Sequence, residues 1–458
     1  MEFPIYQVPF LGNGMVIGVN AIIHVLISHG FAIGLFGMIV LADAMAMGRS
    51  EERRRPWDVF NKRLLKFTVI TTTVVGAMTG VGIWFTTTAL APRGIGLMLR
   101  IFFWAWFIEW IVFVLEVVAI LLFYFYWDKL GSRFGRKKRI ALGLSYMILA
   151  IMSAVIITGM LGFMLTSGDW PMERSFSQAF LNPSYFPQLF TRLGIAAVIG
   201  ALTAMLFALF LSPKDRVFQD EASRLYGLIL AITLPLLAIA VYTYYHTVPT
   251  GFIGRSLFSV LTGRLSQSPS LFFTANFVAI GCLVLIAISA SFGRIRLTQW
   301  LMIPSLLFAI GLVAEFERVR EFIRGPYLMP GHMYANTVLL QEEPIMKADG
   351  MLGHSYWYQH GYQDGSVITD GAFLFSANCS ACHTINGINA IRDRVRGRSE
   401  DGIYVLVGRT DDMISFMPPF SGNDDERLAT TRFLYELERG NVEMKRAATY
   451  TPRVEVAP

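Results

Sequence analysis

The hydrophobic positions of this chain fall into long runs separated by short polar segments. Eight apolar spans occur at about residues 15–47, 67–90, 97–127, 140–165, 189–211, 228–245, 271–291 and 300–316. Most of them reach the roughly 20 residues that a helix needs to cross the hydrocarbon core of a bilayer. The sixth and the eighth spans are the shortest. The pattern predicts an all-α protein whose main part is a polytopic transmembrane bundle of about eight helices.

The positions of the basic residues predict how the spans are oriented. Lys and Arg are concentrated in the segments 49–66, 129–139, 214–224 and 294–296, and they are scarcer in the loops between. The positive-inside rule places the basic loops in the cytoplasm and both termini outside. We therefore expect a multi-pass protein of a bacterial cytoplasmic (inner) membrane. The first span is expected to act as an uncleaved insertion signal, since no signal-peptide cleavage pattern precedes it.

Composition agrees with a membrane protein. Hydrophobic residues make up 54% of the 458 residues and charged residues 16%, whereas a soluble domain carries about a quarter charged residues. The formal net charge of +6 does not indicate nucleic-acid binding, because the basic residues mark particular short loops instead.

The hydrophobic pattern changes after Arg324. A Gly-Pro-Tyr-Leu-Met-Pro-Gly segment breaks the helix there, and a polar and aromatic stretch follows. Helical patterns return from Gly371 and over 424–439, where an acidic start precedes apolar residues at helical spacing. We expect four parts: a membrane bundle over 1–324, an extracytoplasmic linker over 325–370, a small helical domain over 371–445 and a tail over 446–458.

The most specific motif of the chain is Cys379-Ser-Ala-Cys382-His383. Two cysteines at this spacing can each form a thioether with one vinyl group of a haem, and the histidine is placed to ligate the iron. Met417, in a Phe-Met-Pro-Pro-Phe segment, is the candidate for the second axial ligand, since a thioether opposite a histidine suits electron transfer. The pattern predicts one covalent haem c in a domain similar to class I cytochromes c. The alternative is a structural or redox-active cysteine pair.

Histidines and carboxylates inside apolar spans are candidate functional residues, because charged groups are costly in a bilayer. His24 and His29 lie roughly 140° apart around the first helix. Either imidazole could ligate a haem iron, or could be hydrogen-bonded within the bundle. Glu315, which directly follows the last apolar run, could ligate a high-spin haem or pair with Arg318.

Two glutamates of the third span share one face of the predicted helix. Glu109 and Glu116 are seven residues apart, about 10 Å along the axis. Two carboxylates in this arrangement could relay protons through the membrane. The alternative is that they pair with Arg100 or another buried donor and only fix the packing.

At these residues the chain resembles subunit I of the cytochrome bd-type terminal oxidases, over about residues 15–320. The most specific block joins Glu109 and Phe113-Val-Leu-Glu116 to the Tyr-Trp-Asp-Lys-Leu-Gly segment at 126–131 and to Ser153-Ala154. It is similar to the family's third helix, with its two glutamates, and to the Ser-Ala that follows. The resemblance implies haem b and/or haem d in the bundle.

Three further positions carry the same resemblance. Gly80 matches an Ala-Thr-Gly motif on the family's second helix, and His24 falls close to the haem ligand on its first helix. Ala314-Glu315 matches the Ala-Glu whose glutamate ligates a high-spin haem in the family.

The chain also departs from the family pattern. Thr191 stands about where the family has a histidine ligand of its low-spin haem, and no methionine occurs around 277–281, where the other ligand is expected. The family's Gly-Arg-Gln-Pro-Trp is absent, and the quinol-binding loop shrinks to about 245–270. The resemblance therefore implies a divergent group that lacks the quinol-site and low-spin haem features.

These observations lead to three hypotheses. In the first, an extracytoplasmic donor passes electrons through haem c to high-spin haems that reduce oxygen, with proton delivery by Glu109 and Glu116. In the second, a quinol or a partner subunit feeds electrons outward through haem c to an extracytoplasmic acceptor. In the third, the bundle is a haem-free anchor for the cytochrome c domain. The resemblance also implies a second membrane subunit similar to the family's subunit II, other respiratory-complex subunits and contact with membrane lipid.

Overall fold

The computed structural model describes residues 6–131, 133–211, 215–249, 269–324, 329, 331–335, 338–361, 365–413, 417–445 and 453–456. Among these residues, seven helices are long and apolar enough to cross a membrane, and Gln299–Ala314 is a shorter apolar helix. The prediction of an all-α polytopic bundle is confirmed. The predicted eighth span is helical, but its apolar part is shorter than the other seven.

The first eleven helices form the bundle and its short connections. In chain order they are α1 (Asn13–Ala46), α2 (Glu51–Leu90), α3 (Pro92–Ile101), α4 (Phe103–Phe125), α5 (Arg133–Phe163), α6 (Trp170–Glu173), α7 (Phe176–Phe180), α8 (Tyr185–Leu206), α9 (Arg216–Thr247), α10 (Pro269–Ser291) and α11 (Met302–Arg324). The segments Leu26–Leu35 in α1, Thr71–Gly76 in α2 and Phe207–Leu211 after α8 are π-helical, and the 3₁₀ turns Ile295–Leu297 and Gln299–Leu301 precede α11.

Short strands and helices make up the rest of the described chain. They are β1 (Met333–Ala335), β2 (Val338–Leu339), α12 (Glu343–Asp349), the 3₁₀ turn Leu352–His354, α13 (Tyr356–Gly361), α14 (Val367–Asn378), α15 (Ile391–Val395), α16 (Glu400–Val407), α17 (Thr410–Met413), α18 (Asp424–Arg439), β3 (Val442–Lys445) and β4 (Arg453–Val456). The pairs β1–β2 and β3–β4 are antiparallel. Helix α18 covers the segment 424–439 that the acidic start and apolar spacing predict.

Helix α1 lies at the centre of the bundle. Its most apolar window is 72% buried, whereas that of α4 is 22% buried. Glycines bring α1 against α8, because a Cβ on Gly34 would lie 1.9 Å from the carbonyl oxygen of Ala196, and one on Gly200 would lie 2.3 Å from the carbonyl carbon of Gly34. Only glycine allows backbones to approach this closely. The residues on α1 are therefore surrounded by other helices.

Two helices cross closely in the C-terminal segment. A Cβ on Gly371 of α14 would lie 2.1 Å from the carbonyl oxygen of Ala429 on α18. Phe375 and Phe433 pack together in the core around this crossing. Glu426 belongs to a capping box at the start of α18, so it helps to fix the helix that holds this core in place.

The stretch 329–352 contacts both parts of the chain. Met333 packs in an apolar cluster with Ile17 and Phe163 of the bundle. Met346 packs with Leu374 of α14, and the backbone N–H groups at 351 and 352 donate to Glu426, each at 2.7 Å. This stretch therefore joins the bundle to the C-terminal helices.

Candidate functional site

The Cys-x-x-Cys-His motif forms a compact turn at the end of α14. The N–H of Cys382 donates to the carbonyl oxygen of Cys379 at 3.1 Å, and the N–H of His383 donates to the same oxygen at 2.9 Å. Burial raises the pKa of Cys379 to about 12 and that of Cys382 to about 11. Thioether formation with a haem and redox activity of the pair would both use these two sulfur atoms.

His383 is oriented by a backbone hydrogen bond. Its Nδ1 lies 3.0 Å from the carbonyl oxygen of Asn389, which can only accept, so Nδ1 carries the proton and Nε2 keeps its lone pair. The Nδ2 of Asn389 donates to the Cys382 carbonyl oxygen at 2.9 Å, which holds this loop in place. Burial lowers the pKa of His383 to about 4, so the imidazole is neutral at physiological pH. A neutral imidazole with a fixed tautomer fits an iron ligand.

The loop that carries Met417 is tied to the same region. The N–H of Ser421 donates to Oδ1 of Asn378, the residue directly before Cys379, at 3.1 Å. The hydroxyl of Thr410 donates to the Pro418 carbonyl oxygen at 2.6 Å. Residues 414–416 lie outside the described residues. The residues that follow the half-buried Met417 are therefore held by contacts that reach the residue directly before the haem-type motif.

The motif lies against the start of α1. The N–H of Gly14 donates to the carbonyl oxygen of Ala381, between the two cysteines, at 3.1 Å. The N–H of Ile388 donates to the Phe10 carbonyl oxygen at 2.8 Å. A Cβ on Gly387 would lie 2.1 Å from that oxygen, so the two backbones touch. We call this contact of residues 10–14 with residues 381–388 the docking contact.

His24 lies on α1 and faces α2. Its Nδ1 is 3.1 Å from the carbonyl oxygen of Gly76 and 3.1 Å from Oγ1 of Thr79. A Cβ on Gly80 would lie 3.2 Å from the imidazole. Because the carbonyl oxygen can only accept, Nδ1 carries the proton and Nε2 keeps its lone pair. His24 is ten residues from Gly14, about 15 Å along the helix.

His29 lies in a different environment, within a buried charged cluster. Its Nδ1 is 3.0 Å from the hydroxyl of Ser28, and its Nε2 accepts from Nη1 of Arg192 at 3.4 Å. Nη2 of Arg192 donates to Oε1 of Glu317 at 3.4 Å, and both partners are almost completely buried. Both ring nitrogens of His29 are therefore engaged. Sequence reasoning missed Arg192 and Glu317, although an arginine inside an otherwise apolar span is a visible signal.

The two glutamates of α4 both face α5. Oε1 of Glu109 accepts from the hydroxyl of Ser153 at 3.0 Å, and Oε1 of Glu116 accepts from the hydroxyl of Tyr146 at 3.0 Å. Tyr146 is buried. The donors are thus hydroxyl groups on the neighbouring helix, which can both donate and accept a proton. Sequence reasoning named neither hydroxyl as a partner.

The side chain of Glu315 lies outside the described residues, although its backbone belongs to α11. No group of three or more His, Cys, Asp or Glu side chains that could hold a metal ion occurs in the part of the chain that the structure describes. This finding is compatible with haem, since haem iron needs only one or two axial ligands from the protein. His24 and His383, whose Nδ1 atoms donate to backbone carbonyl oxygens, fit such ligation through Nε2.

A buried ion-pair network closes the opposite end of the bundle. Nε of Arg139 donates to Oδ2 of Asp43 at 2.8 Å, and its guanidinium lies 3.8 Å from the ring centre of Trp127. Arg136 pairs with Asp58 in the same network. Arg54 also pairs with Asp58, at 3.7 Å, on the more exposed side of the network. Asp43 and Asp58 together compensate the two buried arginines, and the network joins α1, α2 and α5.

No protein-family model and no curated protein matches this chain. Among solved structures, the chain is similar to the bd oxidase from Geobacillus thermodenitrificans, with 15% sequence identity and a TM-score of 0.55. The similarity covers 69% of this chain and 87% of that one. It shows the fold: this is an integral membrane protein with a helical bundle of the bd-oxidase kind. The similarity does not extend the assignment to a cytochrome c domain.

Proposed function

We propose that this chain is the electron-transfer subunit of a bd-like respiratory oxidase that receives electrons through a covalent haem c. The docking contact is the observation that supports this proposal best. It seats the Cys-x-x-Cys-His turn on the first turn of α1, the helix that carries His24. An electron carrier attached at residues 379–383 would lie next to the membrane bundle.

Four residues would hold the proposed haem c. Cys379 and Cys382 would form the thioether bonds, and His383 would ligate the iron through the Nε2 that its hydrogen bond to Asn389 leaves free. Met417 would be the other protein ligand of the iron. When bound, the haem supplies one-electron redox chemistry.

His24 is the better candidate for a ligand of a b- or d-type haem in the bundle. Its Nδ1–H donates to the Gly76 carbonyl oxygen, which orients the ring and leaves Nε2 for iron. The Nε2 of His29 is occupied by Arg192, so His29 would have to leave its buried cluster to bind iron. We assign ligation to His24 and retain Glu315 as the proposed ligand of a second haem.

Glu109 and Glu116 would deliver protons to the site of oxygen reduction. The pairs Tyr146–Glu116 and Ser153–Glu109 follow one another along the interface of α4 and α5. Each hydroxyl can pass a proton to its carboxylate and accept another from water. Residues of the chain itself would therefore form the relay.

Two further features of the proposal concern the surroundings of the chain. By the positive-inside rule, the haem c site would lie on the extracytoplasmic side of the membrane. Helix α4 exposes a face that includes Phe107, Trp110 and Val114, which would contact lipid or the proposed second membrane subunit.

The experiment that tests this function counts the haems of the purified chain by pyridine haemochrome and then measures oxygen uptake with a reduced donor. One haem c together with b or d haem, and oxygen uptake, is the expected result. Haem c without any membrane haem would contradict the oxidase and leave an anchored cytochrome. A full haem complement without oxygen uptake would favour outward electron transfer instead.

A further inference from the structure

Four arginines lie within one segment of seven residues, 392–398, after the haem-type motif. Arg394, Arg396 and Arg398 are exposed and Arg392 is half-buried, and the single carboxylate among residues 392–398 is Asp393. We call residues 392–398 the arginine patch. The remainder of 371–445 contains ten acids and five bases, so positive charge is concentrated in the patch and the rest of this segment has an excess of acids.

Two of these guanidinium groups are held by neutral oxygens. Nη2 of Arg394 donates to Oδ1 of Asn389 at 3.1 Å, and Nε of Arg398 donates to the Arg394 carbonyl oxygen at 3.1 Å. Arg396 pairs instead with Asp393. Neutral acceptors fix the side chains without cancelling their charge. A second carboxylate also reaches the patch, because the N–H of Gly397 donates to Oε1 of Glu438 at 3.1 Å. Four guanidinium groups against two carboxylates still leave oriented N–H groups and a net positive charge.

The patch is joined to the proposed iron ligand through one residue. The carbonyl oxygen of Asn389 accepts from His383, and its side-chain oxygen accepts from Arg394. On the other side of the same loop, Gly387 and Ile388 contact Phe10, which lies just before α1. The loop 387–389 therefore lies between the start of the membrane bundle and the exposed Arg394.

We propose that the arginine patch is the docking surface for a soluble, acidic electron-donor protein. This proposal rests on the proposed function of haem c as the point of electron entry. A negatively charged donor would be attracted to the patch and repelled by the acidic remainder, so the field would orient it toward the haem. Each encounter transfers one electron: the redox centre of the donor is oxidised by one electron and haem c is reduced by one.

The test uses the full-length holoprotein in bilayer discs of zwitterionic lipid. Stopped-flow absorbance measures the second-order rate of haem c reduction by a pre-reduced acidic c-type cytochrome and by a basic one, each over a series of salt concentrations. The test variant is Arg394→Glu/Arg398→Glu, and Arg394→Lys/Arg398→Lys keeps the charge. Arg409→Glu/Arg432→Glu is the matched control, since it makes the same charge change at exposed arginines outside the patch.

The acidic donor is expected to react faster than the basic one, and added salt should slow it. Charge reversal in the patch should lower the acidic donor's rate by about tenfold or more and flatten its salt dependence. The lysine variant should keep most of the rate, and the control should keep nearly all of it. The haem c spectrum and potential should not change in any variant.

Equal rates for the two donors, or an equal loss in the control, would overturn the proposal. So would an unchanged rate accompanied by weaker binding of the variant to vesicles of anionic lipid, which would make the patch a lipid contact. Failure of the proposed function would give a different result in the same measurements. In that case haem c is missing, or the membrane haems stay oxidised after ascorbate with a small mediator has reduced haem c.

Discussion

At the scale of single residues, hydrogen-bond partners distinguish histidines that the sequence presents as equivalent. His24 and His383 each have Nδ1 directed at a backbone carbonyl oxygen, at 3.1 and 3.0 Å. Nε2 of His29 instead faces a guanidinium, which can only donate. An imidazole offers iron one lone pair, so its partner at the other nitrogen decides whether that pair is available.

The first prediction concerns His24 and His29. His24→Ala should lose haem from the membrane bundle while haem c stays attached, because the iron loses its imidazole. His29→Asn should retain every haem. The measurement is a haemochrome count on the purified variants. Loss of haem in His29→Asn with retention in His24→Ala would reverse the assignment.

The second prediction concerns Met417. Met417→Ala should keep haem c covalently attached but lower its reduction potential by on the order of 0.1 V, since a thioether ligand raises the potential. Redox titration followed by absorbance measures the shift. Met413→Ala is the matched control, because Met413 is an exposed methionine on the nearby α17. An equal shift in both variants would rule out ligation by Met417.

At the scale of helices, buried polar pairs connect elements that apolar packing alone leaves free to slide. Arg192 on α8 and Glu317 on α11 form one such pair, and Tyr146 and Glu116 join α5 to α4. The first pair joins helices that are far apart in sequence, and the second joins two consecutive helices. Removing one member leaves its buried partner without that contact, so such pairs are sensitive to single substitutions.

The third prediction concerns the Arg192–Glu317 pair. Arg192→Ala should lower the free energy of unfolding by about 3–5 kcal/mol, because Glu317 would remain as a buried charge without this partner. The double variant Arg192→Met/Glu317→Leu should be less destabilised than Arg192→Ala. Denaturant titration of the protein in detergent measures both. A double variant as unstable as the single one would show that charge burial is not the cause.

The fourth prediction concerns the relay on α4 and α5. Glu116→Gln should slow oxygen uptake by about 10² while leaving the haem content unchanged, since an amide does not transfer protons as a carboxylate does. Tyr146→Phe should slow it in the same direction. Ser145→Ala is the control, because that hydroxyl donates to the Ala141 carbonyl oxygen of its own helix. Normal uptake in both relay variants would exclude this path.

At the scale of the whole molecule, glycines allow the C-terminal helices to rest directly on the bundle. Gly387 meets the Phe10 backbone with no room for a side chain, and the N–H of Gly14 is bonded to the Ala381 carbonyl oxygen. The stretch 329–352 adds contacts on both sides. The proposed electron carrier is therefore held in place by several contacts that are distant in sequence.

The fifth prediction concerns the docking contact. Gly387→Ala should slow the reduction of the membrane haems by on the order of tenfold. A Cβ there displaces the loop from the start of the bundle, and a small displacement of reacting groups can lower a rate strongly. Reduction of haem c itself by a mediator should stay normal. Stopped-flow absorbance at the two haem types measures both steps. Gly353→Ala is the control, since a Cβ there meets no atom within 4 Å.

The sequence by itself determined the class of fold and the residues of the haem-type motif. Apolar runs long enough to cross a bilayer predict membrane helices because the bilayer requires every backbone polar group to be satisfied within the helix. The structural similarity to a bd oxidase confirms the resemblance at the level of the fold. Helix α18 follows equally from local signals, since its cap and its apolar spacing both lie within residues 423–439.

Only the tertiary structure decided which groups meet. Arg192 and Glu317 are 125 residues apart, and Tyr146 and Glu116 are 30 apart, so no local pattern pairs them. The same holds for the docking contact, which joins residue 14 to residue 381. Helical periodicity specifies a face but not the helix that covers it, because that choice depends on the packing of the entire bundle. For this reason the partners of His24 and His29 became visible only in the folded chain.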